Sequence, residues 1–89
     1  MKQSYLEVTY RRGRLLAAYY HLPHRFDRRV WRSRETAPGL VLDVARNGDP
    51  MGIEITEPTR VTLASMNRVL RGLGLPLLRA RDWAPMRAA

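Results

Sequence analysis

Cysteine is absent from the 89 residues of this chain, which excludes disulfide bonds and thiolate metal sites. The absence also suits a reducing compartment, so we expect a cytoplasmic protein. No apolar run approaches the ~18 residues that a membrane span needs. The first ten residues, MKQSYLEVTY, alternate in polarity and lack the apolar run of a signal peptide, so we expect neither export nor membrane association.

Lysine is nearly absent as well, because all the basic residues except Lys2 are arginines. The formal net charge is +8, and it is unevenly distributed along the chain. Residues 1–34 hold nine basic and two acidic residues, whereas residues 35–89 hold seven and six. A basic half predicts an acidic partner, which is either nucleic acid or an acidic protein surface.

The sequence also lacks the motifs of common enzymes and RNA-binding domains. Its serines have no nucleophile-elbow context, and the GLG at residues 72–74 ends a predicted helix instead of cradling a phosphate. No aromatic motif of the GFGFV kind is present. We therefore expect no cofactor and no small-molecule substrate.

The chain is predicted to form one domain, because its length supports a single core and 45% of its residues are hydrophobic. We divide residues 1–89 into a β-meander at 1–57, a turn and helix at 58–76, and a C-terminal tail at 77–89. Alternating polarity predicts strands over YLEVTY and LLAAYYHL, joined by a turn at residues 11–14. The second strand is apolar on both faces, which predicts a central position. Residues 30–36 could form a short third strand, with Trp31 inward and Arg32 and Arg34 outward.

The segment LVLDVARNGDPMGIEI, residues 40–55, predicts a β-hairpin that turns at Asn47-Gly48. In the register that we expect, residue i pairs with residue 95 minus i, including across a four-residue loop. This register brings six apolar side chains to one face, and a slip of one residue would divide them between two faces. The six are Leu40, Leu42, Val44, Met51, Ile53 and Ile55.

Residues 62–73 have helical periodicity, with Thr62 as the N-cap and Gly74 and Pro76 as the end. Ser65, Asn67, Arg68 and Arg71 mark the solvent-facing side of this helix. The predicted fold class is α+β, an antiparallel β-meander of four to five strands with one C-terminal amphipathic helix packed on one face. Leu78 and Trp83 are possible anchors of the tail. The expected core is Leu6, Val8, Leu42, Val44, Met51, Ile53, Ile55, Met66 and Leu70.

Two clusters could carry enzyme or metal chemistry. Asp43 and Glu54 are diagonal neighbours in the predicted hairpin, roughly 7–8 Å apart at the backbone. They could act as the acid and base of a hydrolase, but solvated or arginine-paired face residues explain them better, because an open sheet face shifts no pKa by itself. His21, His24 and Asp27 have the spacing H-x-x-H-x-x-D, but Pro23 interrupts any helix that would align them. We therefore assign no catalytic and no metal-binding residue.

The stretch RFDRRVWRSR, residues 25–34, has the strongest functional pattern. Guanidinium groups match phosphate geometry, and aromatic rings such as Phe26 can stack on unpaired bases. No helix-turn-helix is predicted, so any binding to nucleic acid would be led by backbone contacts and would depend strongly on salt. The same residues could instead bind a protein partner. The candidates are Arg25, Arg28, Arg29, Trp31, Arg32 and Arg34, helped by Arg11, Arg12 and Arg14.

The hairpin segment resembles the signature of a family of short bacterial proteins, domain-of-unknown-function family 2283. The matching residues are Val41, Asp43, Asn47, Gly48, Gly52, Ile53, Glu54 and Ile55. An A-x-Y-x-x-L pattern at Ala17, Tyr19 and Leu22, or at Ala18 and Tyr20 with a shift of one residue, extends the resemblance over residues 5–57. The resemblance implies a strand-rich fold without established catalysis, and a partner or antitoxin-like role beside small toxin-like proteins. This chain departs from the family in charge, because typical members are acidic.

Together these patterns predict a small, non-enzymatic binding protein that acts through protein–protein contacts. We expect either a homodimer, which would cover the exposed edges of a short sheet, or a small protein partner. Nucleic-acid binding through the arginine-rich segment is the alternative.

Overall fold

The computed structural model describes residues 3–24 and 29–87. Five strands come first in the chain, and two short helices and a 3₁₀ turn follow. The strands are β1 Tyr5–Arg11, β2 Arg14–His21, β3 Arg32–Ala37, β4 Leu40–Val44 and β5 Pro50–Ile55. The helices are α1 Leu63–Gly72 and α2 Ala80–Trp83, with the 3₁₀ turn at Ala84–Met86. The predicted α+β class is confirmed. Over the described ranges, no helix has the length and apolar character to cross a membrane.

All strand pairs are antiparallel, and their order across the sheet is β1-β2-β5-β4-β3. The sheet thus consists of a β1–β2 hairpin and a β3–β4–β5 meander, joined where β2 pairs with β5. The predicted central position of β2 is confirmed. β1 and β3 form the two edges of the sheet, which is not closed into a barrel.

The β4–β5 hairpin has the predicted register over four pairs, from Leu40↔Ile55 to Asp43↔Gly52. The register then shifts, because Val44 pairs with Pro50 and not with Met51. The turn explains this difference: the Ala45 amide donates to the Asp49 carbonyl at 2.9 Å, which closes a three-residue loop with Gly48 at φ 92°. A loop of that length brings an extra residue into one strand as a bulge. Met51 is that residue; it is buried, but it lies outside the main core cluster.

The main core lies between one face of the sheet and the C-terminal half of the chain. Met66 and Leu70 of α1 are fully buried, and Trp83 of α2 is 3% exposed. They cover a sheet layer that consists of Ala18, Tyr20, Leu40, Leu42, Ile53 and Ile55. Leu6, Val8 and Val44, expected in the core, are partly buried against it. The tail anchors Leu78 and Trp83 both pack into this cluster, as predicted.

The helix begins as predicted, because the Thr62 hydroxyl accepts a hydrogen bond from the Ser65 amide at 3.1 Å. Asn67, however, does not lie on the solvent-facing side. Its side-chain amide donates to the Leu78 carbonyl at 2.9 Å and accepts from the Leu78 amide at 2.8 Å. The prediction was wrong because helical periodicity gives no information about segments later in the chain, and the segment at Leu78 covers Asn67.

A bulge in β2 changes which face its first residues occupy. Thr9 pairs with Ala17 but Tyr10 pairs with Leu15, so Leu16 is the extra residue and is 50% exposed. Leu15 therefore packs on the helix-covered face beside Tyr10, whose hydroxyl donates to the Pro85 carbonyl.

Residues 30–36 were predicted as a strand, and β3 occupies nearly the same range. The inward orientation that we predicted for Trp31 is wrong, because this side chain is 50% exposed. Its backbone amide donates to the Val44 carbonyl at 2.8 Å, which holds it to the sheet edge just before β3 begins. Arg32 and Arg34 are exposed, but they pair with Val44 and Leu42 and so lie on the helix-covered side of this edge strand, opposite to the predicted side.

Candidate functional site on the open sheet face

The sheet face opposite α1 carries no secondary-structure element of the described chain. Side chains alternate between faces along a strand, so residues between the core positions point to this side. We call it the open face. Its residues are Tyr5, Glu7, Thr9, Ala17, Tyr19, His21, Ser33, Glu35, Val41, Asp43, Gly52 and Glu54. Arg11 and Arg14 join them at the far end, because their neighbours Tyr10 and Leu15 face the core.

One row of paired residues crosses all five strands of the open face. In strand order it is Tyr5, His21, Gly52, Asp43 and Ser33. Gly52 is the centre of this row, and a Cβ atom there would clash with ring atoms of Tyr19. The glycine therefore leaves room on the open face for the side chain of Tyr19, from the neighbouring row, to lie over β5.

Tyr19 uses that space to reach Asp43. Its hydroxyl donates a hydrogen bond of 2.6 Å to Asp43 Oδ2, and the Ser33 hydroxyl donates to Oδ1 of the same carboxylate. Burial raises the pKa of Tyr19 above its ordinary value, and the hydrogen bond and negative charge of Asp43 and the charge of Glu54 raise it further. The phenol consequently stays protonated and acts as a donor, while both oxygens of Asp43 accept from neighbours.

His21 is held in the same layer by three neighbours. Its Nε2 lies 2.7 Å from Glu7 Oε1, and its ring stacks on Tyr5 at 4.2 Å between centroids with an angle of 12°. The Tyr19 ring meets it at 4.7 Å and 56°. The three rings form a continuous aromatic cluster along β1 and β2, with carboxylates on both sides.

A groove of about 440 Å³ lies over this cluster. Its walls include Thr9, Ala17, His24, Val30 and Met51, together with Glu7, Tyr19 and Glu54 of the row next to the one at Gly52. In that row Glu7 pairs with Tyr19 and Tyr19 pairs with Glu54, so two carboxylates flank one aromatic ring. A ring between two carboxylates can hold a cation by cation–π attraction and ion pairing together.

The predicted carboxylates Asp43 and Glu54 are diagonal neighbours on this face, because the register that places them is the observed one. Asp43 is occupied by two hydroxyl donors, whereas Glu54 is exposed. We expected these two carboxylates to be solvated or paired with arginines. Glu54 is solvated, and Asp43 is paired with Tyr19 and Ser33 in place of arginines.

His21 and His24 of the H-x-x-H-x-x-D motif line the same groove, and Asp27 lies outside the described residues. Across residues 3–24 and 29–87, no group of three or more histidine, aspartate or glutamate side chains is arranged to hold a metal ion.

The arginine-rich candidates fall into two separate groups. Trp31 lies under two guanidinium groups, with Arg32 at 4.6 Å and Arg46 at 5.9 Å from its ring centroid. Arg32 and Arg34 are exposed on β3 and Arg29 is exposed in the segment before it, whereas Arg25, Phe26 and Arg28 lie outside the described residues. The second group, Arg11, Arg12 and Arg14, lies at the β1–β2 turn.

These two groups occupy diagonally opposite corners of the sheet. β1 and β3 are the two edges, and four strand spacings separate them by roughly 19 Å. The β1–β2 turn also lies at the opposite end of the strands from the start of β3, since β1 and β3 point the same way. The fold therefore does not combine the seven candidates among the described residues in one patch.

Several residues that make contacts in these sites were not singled out by sequence reasoning, among them Tyr5, Glu7, Ser33 and Arg46. Tyr5 and Glu7 contact His21 across the β1–β2 pair, and Ser33 contacts Asp43 across the β3–β4 pair. Alternation within a strand does not specify which residue of a neighbouring strand lies opposite. One signal was available: Gly52 interrupts β5, and a glycine within a strand marks a close approach of another group.

The fold and this face define a small α+β protein in which, over the described residues, helices cover one face of the sheet and not the other. No protein-family model, no curated protein and no solved structure matches this chain.

Proposed function

We propose that this chain is a non-enzymatic protein-binding module and that the open face is its contact surface. The observation that carries the proposal is the aromatic cluster of Tyr5, Tyr19 and His21, which lies on a sheet face that no helix or strand of residues 3–24 and 29–87 covers. Tyrosine is enriched among the residues that dominate binding energy at protein interfaces. An ordered cluster also loses little side-chain entropy on binding.

The hydrolase alternative, with Asp43 and Glu54 as acid and base, has less support. Asp43 accepts hydrogen bonds at both oxygens, and its donor Tyr19 has a raised pKa, which is opposite to what a tyrosine base needs. Binding explains the same geometry without asking Asp43 to exchange a proton.

The charge of the open face also supports a protein partner. Four of the eight acidic residues of the chain lie there: Glu7, Glu35, Asp43 and Glu54. A chain of net charge +8 thus presents a locally acidic surface, which could cover a basic surface of another protein. This local charge is compatible with the partner or antitoxin-like role that the family resemblance implies. The absence of cysteine agrees with a cytoplasmic location, which is part of the proposal.

Affinity capture with charge-reversed variants tests the proposal. The tagged chain is incubated with lysate of its native host, and the retained proteins, including further copies of the chain, are quantified by mass spectrometry. We expect Glu54→Arg on the open face to lose the retained protein. Glu57→Arg is the control, because Glu57 is also exposed but lies in the turn after β5, against Gly39 and Val61. Retention that is equal for both variants contradicts the proposal.

A second candidate function, nucleic-acid binding, is favoured by the corner where Arg32 and Arg46 lie over the exposed ring of Trp31. Such a corner could contact phosphates and an unpaired base together. Fluorescence anisotropy with labelled single-stranded RNA and DNA tests it over a salt series. Affinity should fall steeply with salt and drop for Arg46→Ala but not for Arg68→Ala on α1. An affinity that barely changes with salt would exclude this mode.

A further inference from the structure

We propose that the partner of the open face is a second copy of this chain, packed face to face, with Arg14 of each copy inserted in the groove between Glu7 and Glu54 of the other. This inference rests on the proposed function and names the partner for it.

The first argument is the order of charges along β1 and β2. Successive rows of the open face along β1 are at Tyr5, Glu7, Thr9 and Arg11. The second row holds Glu7, Tyr19 and Glu54, whereas the fourth holds Arg11 paired with Arg14. One surface therefore carries carboxylates near one end and guanidinium groups at the other.

The second argument is the symmetry of this arrangement. The third row consists of Thr9 and Ala17, and the acidic and basic rows lie on either side of it, each about 7 Å away along the strands. A two-fold axis along the third row superimposes the acidic row of one copy on the basic row of the other. The same surface then serves both subunits, as an isologous dimer requires, and the assembly closes at two copies.

The third argument is the fit of the side chains in that arrangement. Arg11 of one copy lies opposite Glu7 of the other, and Arg14 lies opposite Tyr19. A guanidinium over that ring has Glu7 on one side and Glu54 on the other, which combines cation–π attraction with ion pairing.

The residues at the axis allow the two sheets to approach. Thr9 and Ala17 are small, and face-to-face sheets pack about 10 Å apart when their side chains interdigitate. The bulge at Leu16 turns Arg14 to the open face. Without this extra residue, alternation along β2 would place Arg14 on the core face and Leu15 on the open face. The bulge thus acquires a role in assembly.

The inference is tested by measuring the mass of the chain in solution with a charge-swap pair. Sedimentation equilibrium of the wild-type chain should give a dimer. Arg14→Glu and Glu54→Arg should each raise the dimer dissociation constant by about tenfold or more, because like charges then meet at both symmetry-related grooves. Mixing the two variants should restore a dimer, since in the heterodimer the introduced glutamate faces the introduced arginine at one groove and the native charges meet at the other.

The controls carry the same charge changes elsewhere. Arg68→Glu on the exposed side of α1 and Glu57→Arg after β5 should dimerise like the wild-type chain, and circular dichroism confirms that each variant is folded. The inference would be overturned if the wild-type chain were monomeric at a concentration of roughly 100 μM, which is about 100-fold above a micromolar dissociation constant. A dimer that is indifferent to Arg14→Glu and Glu54→Arg would also overturn it, as would variants that fail to combine.

The two proposals fail in different ways. A monomeric chain that still captures another protein through Glu54 loses the second copy as partner but keeps the open face as a binding surface. A chain that neither dimerises nor captures any protein through that face loses both.

Discussion

The hydroxyl of Tyr19 crosses the backbone of Gly52 and donates a hydrogen bond of 2.6 Å to the carboxylate of Asp43, two strands away. A residue with a side chain at position 52 would block this path, because its Cβ atom would collide with the ring. The hydrogen bond between Tyr19 and Asp43 therefore depends on the glycine at position 52.

Gly52→Ala should destabilise the fold, because the ring of Tyr19 must move and its hydrogen bond to Asp43 is lost. We expect a loss of about 1–3 kcal/mol in the free energy of unfolding, typical of overpacking, measured by urea denaturation. Gly72→Ala is the matched control, since a Cβ there meets nothing within 4 Å and the residue is helical. That variant should be neutral or stabilised by up to ~1 kcal/mol. Equal effects of the two substitutions would contradict the packing of Tyr19 over Gly52.

Tyr19→Phe should change the pH dependence of stability. The pKa of Tyr19 is raised in the folded chain, so above about pH 10 the unfolded chain loses the phenolic proton while the folded chain retains it. The unfolded state then binds fewer protons, and stability falls as pH rises through that range. Urea denaturation between pH 8 and 11 should show a shallower alkaline decline for Tyr19→Phe than for the wild-type chain. Tyr5→Phe, which leaves the hydrogen bond from Tyr19 to Asp43 in place, is the control and should decline like the wild type.

The two tryptophans should differ sharply in their contribution to stability. Trp83 is 3% exposed in the core, and Trp83→Ala should cost about 3–5 kcal/mol, enough to unfold a small domain. Trp31 is 50% exposed at the sheet edge, and Trp31→Ala should change the free energy of unfolding by less than about 1 kcal/mol. Thermal unfolding followed by circular dichroism compares them directly. A large loss of stability for Trp31→Ala would indicate that this ring is anchored in a core.

Asn67→Ala should loosen the C-terminal segment, because it removes both hydrogen bonds to the backbone of Leu78. Leaving that amide and carbonyl unpaired should cost about 1–3 kcal/mol. Hydrogen exchange at the Leu78 amide should accelerate in this variant more than exchange in the strands. Arg68→Ala, next to it on the exposed side of α1, should leave exchange at Leu78 unchanged. If both variants exchange alike, Asn67 does not hold this segment.

Sequence patterns predicted those parts of the fold that depend on neighbours in the chain. The Thr62 cap and the spacing from Leu63 to Leu73 predicted α1, and alternation predicted the faces of β4 and β5. The errors came from turn geometry and from tertiary context. The three-residue loop at Gly48 displaced Met51 into a bulge, the edge position of β3 exposed Trp31, and the returning tail paired with Asn67.

The candidate site was less predictable than the fold. Asp43 and Glu54 were found because they lie in one hairpin, but the partners of Asp43 belong to β2 and β3. Arginine content suggested a single binding segment, whereas the sheet separates Arg14 from Arg32 at opposite corners. Charge counted along a sequence does not reveal how that charge is distributed in space.

The sequence alone determined α1, the approximate ranges of the strands and the first four pairs of the β4–β5 hairpin, because these follow from local periodicity. Only the tertiary structure decided that β5 pairs with β2. That choice depends on how α1 and the tail cover one face of the whole sheet, and it is not encoded in the alternation of any single strand. It brings Tyr19 to Asp43 and sets Glu7 and Glu54 on either side of one ring.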